Sequence, residues 1–301
     1  MGATSPQRLL VYNPEHDLCL ANGNSHYVPP RSALLRAERG AHYMLSIYGS
    51  ADAEACAASR VQQFVACHGL PRCVIAWGWD AVLKETLLKQ GIPAGLLPSD
   101  DYIGMLRQLQ HRATLLPLKP GCRLAATVAE VASCMDEYGH LVLKAPWSGA
   151  GRGLRWASHS LTPHDEMWVA KTIATQGSVV VEPRRAIELE FALEYMLPES
   201  GMSRVGECLM GYSLFEAKGG VYTSNKPLPD SEIESIVGAD AIDWCRRQVE
   251  PWIAATVAPS YHGPLGIDCY RTTDGQVFVS EHNMRHTMGM VAHGECASFR
   301  C

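Results

Sequence analysis

Three side chains near the C-terminal end have the types and spacing of a cation site. Asp268, Glu281 and Asn283 lie in the stretch LGIDCYR–TTDGQ–VFVSEHN, residues 265–283, which reads as a β-hairpin. Asp274-Gly275 is the dipeptide favoured in two-residue hairpin turns. With the tip between those two residues, counting back equally along both strands sets Asp268 directly opposite Glu281. Side chains alternate along a strand, so Asn283 shares the face of Glu281. Facing carboxylates repel and weaken a sheet, so a positive charge is expected between them. Two carboxylates and an amide offer oxygen donors suited to a hard cation, and Mg²⁺ keeps its other positions for water and phosphate oxygens. A solvated outer face of the hairpin is the alternative. Ile267, Val277 and Val279 mark one apolar face without saying whether the other is wet.

A second set follows the strand-like HLVLKAP. Lys144 stands near its end, and Ser148, Gly149, Gly151 and Gly153 belong to the glycine-rich WSGAGRG after it. No GxxxxGK[ST] occurs, so this is not a P-loop. Leu154 stands where a dinucleotide fingerprint would need its third glycine, so that reading fails too. Glycines between two strands suggest a flap whose backbone N–H groups can approach a phosphate, with Lys144 meeting the negative charge. The same residues also read as a plain turn.

Other polar residues say less. Asn13, Glu15, His16 and Asp17 follow the first apolar run, where open α/β sheets bind ligands, so they are candidates for substrate contact; a loop capping its own turns is the alternative. His282 and His286 are four apart but lack the glutamate of HExxH, which argues against zinc. Trp77 and Trp79 flank Gly78 and read as packing at a domain interface. Lys218, Asn225 and Lys226 fall in a loop-rich stretch that could approach phosphates or an acceptor.

These candidates need a scaffold, and 301 residues suit two or three packed units. Hydrophobic residues at 47% and charged ones at 19% are ordinary for a globular chain. A formal charge of −5 argues against non-specific nucleic-acid binding. No apolar run of roughly 18 residues is present to span a membrane. MGATSPQRLLVYN has no apolar leader segment, and the 11 cysteines form no CxxC pair, so a cytoplasmic chain with reduced thiols is expected. RLLVYN and CVIAW read as buried strands. DAVLKETLLKQ reads as a helix closed by Gly91, and SDDYIGMLRQLQHRATLL as a long helix capped by Ser99. Alternating strands and helices suggest a small parallel α/β domain over 1–117. The breakers in LKPGCR mark a boundary. An α+β unit over 118–178 holds the helix TVAEVASCMDEYG, Lys144 and the flap, and a helix begun by Thr162 and Pro163. A second, over 179–301, holds the strands SVVVEP and AIELEFALEYM, a helix from 231 to about 256, and the hairpin.

The order of these parts makes the chain resemble the ATP-grasp superfamily, which includes D-alanine–D-alanine ligase, glutathione synthetase and biotin carboxylase. The resemblance rests on Lys144 with its flap, then a hinge strand, then Asp268 followed about a dozen residues later by Glu281-His282-Asn283. Arg285 extends this to Glu-x-Asn-x-Arg, similar to the biotin-carboxylase type. The resemblance implies an ATP-grasp fold of an N-terminal α/β domain and two α+β subdomains clasping ATP. It implies Mg²⁺ (or Mn²⁺) on Asp268, Glu281 and Asn283, and ATP phosphates at Lys144, Ser148, Gly149, Gly151 and Gly153. It further implies adenine at the hinge Glu182-Pro183, ribose at Glu190, and Arg285 as the catalytic cation. Such enzymes bring another lysine from the segment entering the central domain, and here Arg112 is the matching candidate. Gly266 stands where D-alanine ligases carry an arginine, which disfavours that activity. The implied reaction is ligation of a small-molecule carboxylate, activated as an acyl phosphate with release of ADP, to an amine or similar nucleophile. A phosphotransferase and a non-catalytic nucleotide-binding module are the alternatives, and homodimerisation stays open.

Overall fold

The structure, a computed structural model, describes residues 7–149, 153–219 and 221–298. Three parallel strands form the first sheet: β1 (Arg8–Tyr12), β2 (Ala53–Ala57) and β3 (Cys73–Ala76), in the order β2-β1-β3. β1 is central, so Leu9, Leu10 and Val11 are wholly buried, as a parallel strand covered on both faces must be. β2 has the alanine-rich sequence AEACA and gave no strand signal. Asp80 caps the helix Ala81–Lys89 by accepting from Leu83 N–H at 2.9 Å, and Gly91 follows with φ +91°. The long helix expected from Ser99 is shorter: it spans Asp100–Leu109, and Arg112–Leu118 is a 3₁₀ helix. The break has a cause, because the Arg112 N–H leaves the helix ladder for the Pro146 carbonyl at 3.1 Å.

The second sheet is antiparallel, with strands β4 (Arg123–Ala125), β5 (His140–Lys144), β6 (Leu154–Ser158) and β7 (Val179–Pro183) in the order β4-β7-β5-β6. Helices Val128–Tyr138 and Pro163–Gln176 pack on it through Val131 and Val169 against Leu141, Leu143 and Val181. Thr162 and Asp165 form a capping box at the second helix. β7, grouped by sequence with the strands that follow it, pairs here with β4 and β5.

The third sheet has the order β10-β9-β8-β11-β12, comprising β8 (Ile187–Leu197), β9 (Leu209–Lys218), β10 (Val221–Lys226), β11 (Gly263–Thr272) and β12 (Val277–Asn283). Phe191, Leu193, Leu265 and Ile267 pack against helices Asp230–Val237 and Ala239–Trp252. Gly238, at φ +95°, divides what the sequence suggested was one helix. Lys218, Asn225 and Lys226 are strand residues of the β9–β10 hairpin, not loop residues.

The β11–β12 hairpin brings Asp268 opposite Glu281, as expected, by a different route. Its turn is not the two-residue Asp274-Gly275 type. Thr272 N–H donates to the Gln276 carbonyl at 2.9 Å, enclosing three residues with Gly275 at φ +82°. That extra residue shifts the pairing, so Cys269 faces Val279. A bulge at Ser280 then restores Asp268–Glu281, Ile267–His282 and Gly266–Asn283. No helix among the described residues is long and apolar enough to cross a membrane. The described cysteines are free thiols.

Candidate active site

The second and third sheets meet around a cavity of about 230 Å³. Lys144, Glu182 and Glu190 line one part of it, and Asp268, Glu281, Asn283 and Arg285 another. Past Trp156 and Phe215 it joins a wider cleft of about 1060 Å³. Pro183 is on the wall beside Glu182. The glutamates of β8 share a face but not an environment. Glu188 pairs with Arg271 at the surface, Glu190 lies opposite Tyr270 in the wall, and Glu194 is only 1% exposed.

At the acidic part, Asn283 Nδ2 donates to Asp268 Oδ2 at 3.0 Å. Burial, then the neighbouring Glu281 and Glu194 carboxylates, raise the Asp268 carboxyl to about 8. Glu194 lies beyond the residues that sequence singled out for the metal. It accepts from Ser213 Oγ at 3.0 Å and Thr287 Oγ1 at 2.8 Å, and burial raises it to about 7. Two facing carboxylates with a neighbouring amide are a set of oxygen donors that fits a divalent metal.

Two lysines gather about Glu182. Lys144 Nζ lies 3.1 Å from Glu182 Oε2, and Lys119 Nζ bonds Glu182 Oε1 and, at 2.6 Å, the Ser280 carbonyl that the bulge turns toward it. Burial works to raise Glu182, yet the two lysines hold it down at about 2. Lys119 itself is lowered, first by burial and then by Lys144, which together outweigh Glu182. Two lysines around one carboxylate leave one positive charge unbalanced, a favourable place for an anion. Glu182 therefore has its side chain engaged by lysines. Lys119 escaped the sequence reading because it stands in the Lys-Pro-Gly breaker that looked like a linker. Its signal was a lysine at the entry to the second sheet.

No protein-family pattern and no curated protein matches the sequence. Solved structures do match the fold. D-cycloserine synthetase aligns over 97% of this chain and 99% of its own, at 14% identity and TM-score 0.54. N5-carboxyaminoimidazole synthetase from Staphylococcus aureus complexed with ADP aligns over 95% and 73%, at 12% identity and TM-score 0.51. N5-carboxyaminoimidazole ribonucleotide synthetase from Thermus thermophilus aligns over 93% and 71%, at 13% identity and TM-score 0.52. All three are ATP-grasp enzymes. The fold is ATP-grasp.

On this ATP-grasp scaffold the two arginines tie elements together. Arg285 clamps Asp17 with Nε at 3.1 Å from Oδ1 and Nη2 at 3.0 Å from Oδ2, and Nη2 also reaches Asn283 Oδ1 at 3.1 Å. Burial would raise the Asp17 carboxyl, but Arg285 outweighs it and holds it below the usual range. Arg112 bonds Ser148 through Oγ at 2.7 Å and the carbonyl at 2.9 Å, and also Glu281. It thus joins the start of the glycine-rich segment to the acidic pair. Gly149 is required there, since a side chain would run into the Asp17 carboxylate. Gly153 closes the segment beside Ser148, and Gly151 lies outside the described residues.

The N-terminal candidates separate. Asp17 faces Arg285, whereas Asn13 and His16 turn inward. Asn13 Nδ2 donates to the Gly78 carbonyl at 2.8 Å, and His16 Nδ1 lies 3.2 Å from Asp80. Glu15 is buried with Oε2 lacking a partner, and burial raises it to about 7. His282 and His286 point into different surroundings, at Leu109 O (2.8 Å) and Tyr48 Oη (2.7 Å), and burial lowers both to about 4. Trp77 receives the His286 N–H on its carbonyl at 2.9 Å, joining the first sheet to the segment after β12.

Proposed function

We propose that the protein is an ATP-dependent, ADP-forming ligase that activates a carboxylate and joins it to an amine or similar nucleophile. One observation carries the reading: Lys144, with Lys119 behind Glu182, and the Asp268–Glu281–Asn283–Arg285 group meet at one cavity. ATP is a substrate here, its phosphates set between the lysines and the acidic group. Arg112, Ser148, Gly149, Gly151 and Gly153 close on the phosphates, Glu182-Pro183 lie by the base, and Glu190 takes the ribose hydroxyls. The ADP in the Staphylococcus aureus structure supports a nucleotide in this fold. Asp268, Glu281 and Asn283 would hold Mg²⁺, which supplies charge neutralisation for the phosphoryl oxygens. Arg285 steadies the charge that develops on the transferring group.

In the first step the bond between the γ-phosphorus and the β,γ-bridging oxygen breaks. A carboxylate oxygen bonds to the phosphorus, and ADP leaves. In the second, the nucleophile attacks the acyl carbon, loses a proton, and phosphate leaves. Little covalent work falls on the protein, which positions groups and balances charge. The test supplies a panel of carboxylates with Mg²⁺-ATP and hydroxylamine. Hydroxamate should form in step with ADP, and AMP as the stoichiometric product would overturn the mechanism.

A further inference from the structure

A second hollow, of about 510 Å³, lies between the end of β3 and the start of β11, and nothing above assigns it a role. Its volume falls in the range of small-molecule sites, roughly 300–1,000 Å³. Rings make up much of its wall: Trp77, Trp79, Tyr102, Tyr261 and His286. Their polar atoms are largely engaged with the protein itself. Tyr261 Oη donates to the Pro264 carbonyl at 2.6 Å and Tyr102 Oη to the His262 carbonyl at 3.2 Å. Both His286 ring nitrogens are taken, by Tyr48 Oη at 2.7 Å and the Trp77 carbonyl at 3.1 Å. What the tyrosines and His286 offer a ligand is carbon surface.

One charged group breaks this pattern. Arg285 lines both the hollow and the nucleotide cavity. Its guanidinium gives Nε–H to Asp17, both Nη2 hydrogens to Asp17 and Asn283, and one Nη1 hydrogen to the His286 carbonyl at 3.0 Å. Among the described residues the second Nη1 hydrogen has no partner. An apolar chamber therefore leads to a single cationic donor beside the acidic group.

We propose that this hollow receives the aromatic body of the carboxylate substrate, with the carboxylate turned to Arg285. The inference rests on the ligase reading and deepens it by naming the substrate class: a carboxylate carrying a bulky apolar, ring-bearing group. A substrate the size of acetate or alanine would leave most of the chamber unfilled, and a strongly polar one would set its groups mainly against rings and carbon. A ring can pack edge-to-face on the aromatic walls.

The test titrates the full chain calorimetrically with 3-phenylpropionate, propionate and 3-phenylpropanol, and follows the Mg²⁺-ATP thermal shift separately. 3-Phenylpropionate should bind roughly tenfold or more tighter than propionate, for the buried ring, and tighter than the alcohol, for the charge. Leu96→Trp, which fills the chamber, should weaken 3-phenylpropionate by roughly tenfold and leave the ATP shift in place. His262→Trp, at an exposed residue by the mouth, should weaken it in the same direction even if the first variant folds poorly. Equal affinity for propionate and 3-phenylpropionate, or two folded variants that bind as wild type does, would overturn the proposal. A missing ATP shift with selective 3-phenylpropionate binding would instead sink the ligase reading and keep the ring-binding chamber.

Discussion

Asp268→Asn removes an ionisable group while keeping the shape of the side chain, which makes it the sharpest probe of the acidic group. In the folded protein the Asp268 carboxyl is raised to about 8, and in the unfolded chain it titrates near ~3.9. The native state therefore holds a proton that the unfolded state has released. Its contribution is fully present below pH ~4 and is lost as pH rises towards 8. At pH 7 the gap is about three pH units, an upper bound of about 4 kcal/mol against folding. Asparagine avoids that cost. Its carbonyl can still accept the Asn283 Nδ2 hydrogen bond, 3.0 Å in the wild type, and no like charge can form beside Glu281 and Glu194 as pH rises through 8. In urea denaturation with EDTA, variant and wild type should converge towards pH ~3.5, with the variant about 2–4 kcal/mol more stable at pH 8 and an unchanged m value. Mg²⁺-dependent turnover should be abolished. A stability difference that is the same at both pH values, or a variant that keeps normal turnover, would refute the reasoning.

Lys144→Ala should remove most of the Mg²⁺-ATP thermal shift with little change in the apo melting temperature. Lys119→Met should weaken ATP and also cost about 1–3 kcal/mol in apo stability, because Glu182 loses one of its two buried partners. Arg285→Ala should slow hydroxamate formation by about 10²–10³-fold with ATP binding retained, measured by thermal shift. Glu15→Gln should stabilise the protein by up to about 3 kcal/mol at pH 8 and not at pH 4, since burial raises Glu15 to about 7 and its cost appears only as pH climbs through that window; a pH-independent gain would mean that ionisation is not the cause.

Much of the fold was legible because its strongest elements carry local signals. Thr162 with Pro163 marks a capped helix, and alternation along β8 marks a strand with one apolar face. What failed lacked such signals. AEACA in β2 is a strand through its pairing with β1, since alanine favours helix when left to itself. β9 and β10 passed for loop where glycines interrupt the apolar pattern. The hairpin shows how a correct result can hide two compensating errors. A three-residue turn shifted the register, the bulge at Ser280 shifted it back, and the facing of Asp268 and Glu281 survived because burial of Ile267 fixes which way the strand must face. The bulge is also what the sequence could not foretell, and it turns the Ser280 carbonyl to Lys119. Carboxylates on one hairpin can be paired by counting along two strands. A lysine from a turn, a glutamate from β7 and a carbonyl from β12 converge only after the second and third sheets are placed. The Asp17–Arg285 clamp likewise spans almost the whole chain. The chemistry that sequence exposes is that of single elements, whereas the charge balance between lysines, arginines and carboxylates arises only where the sheets meet.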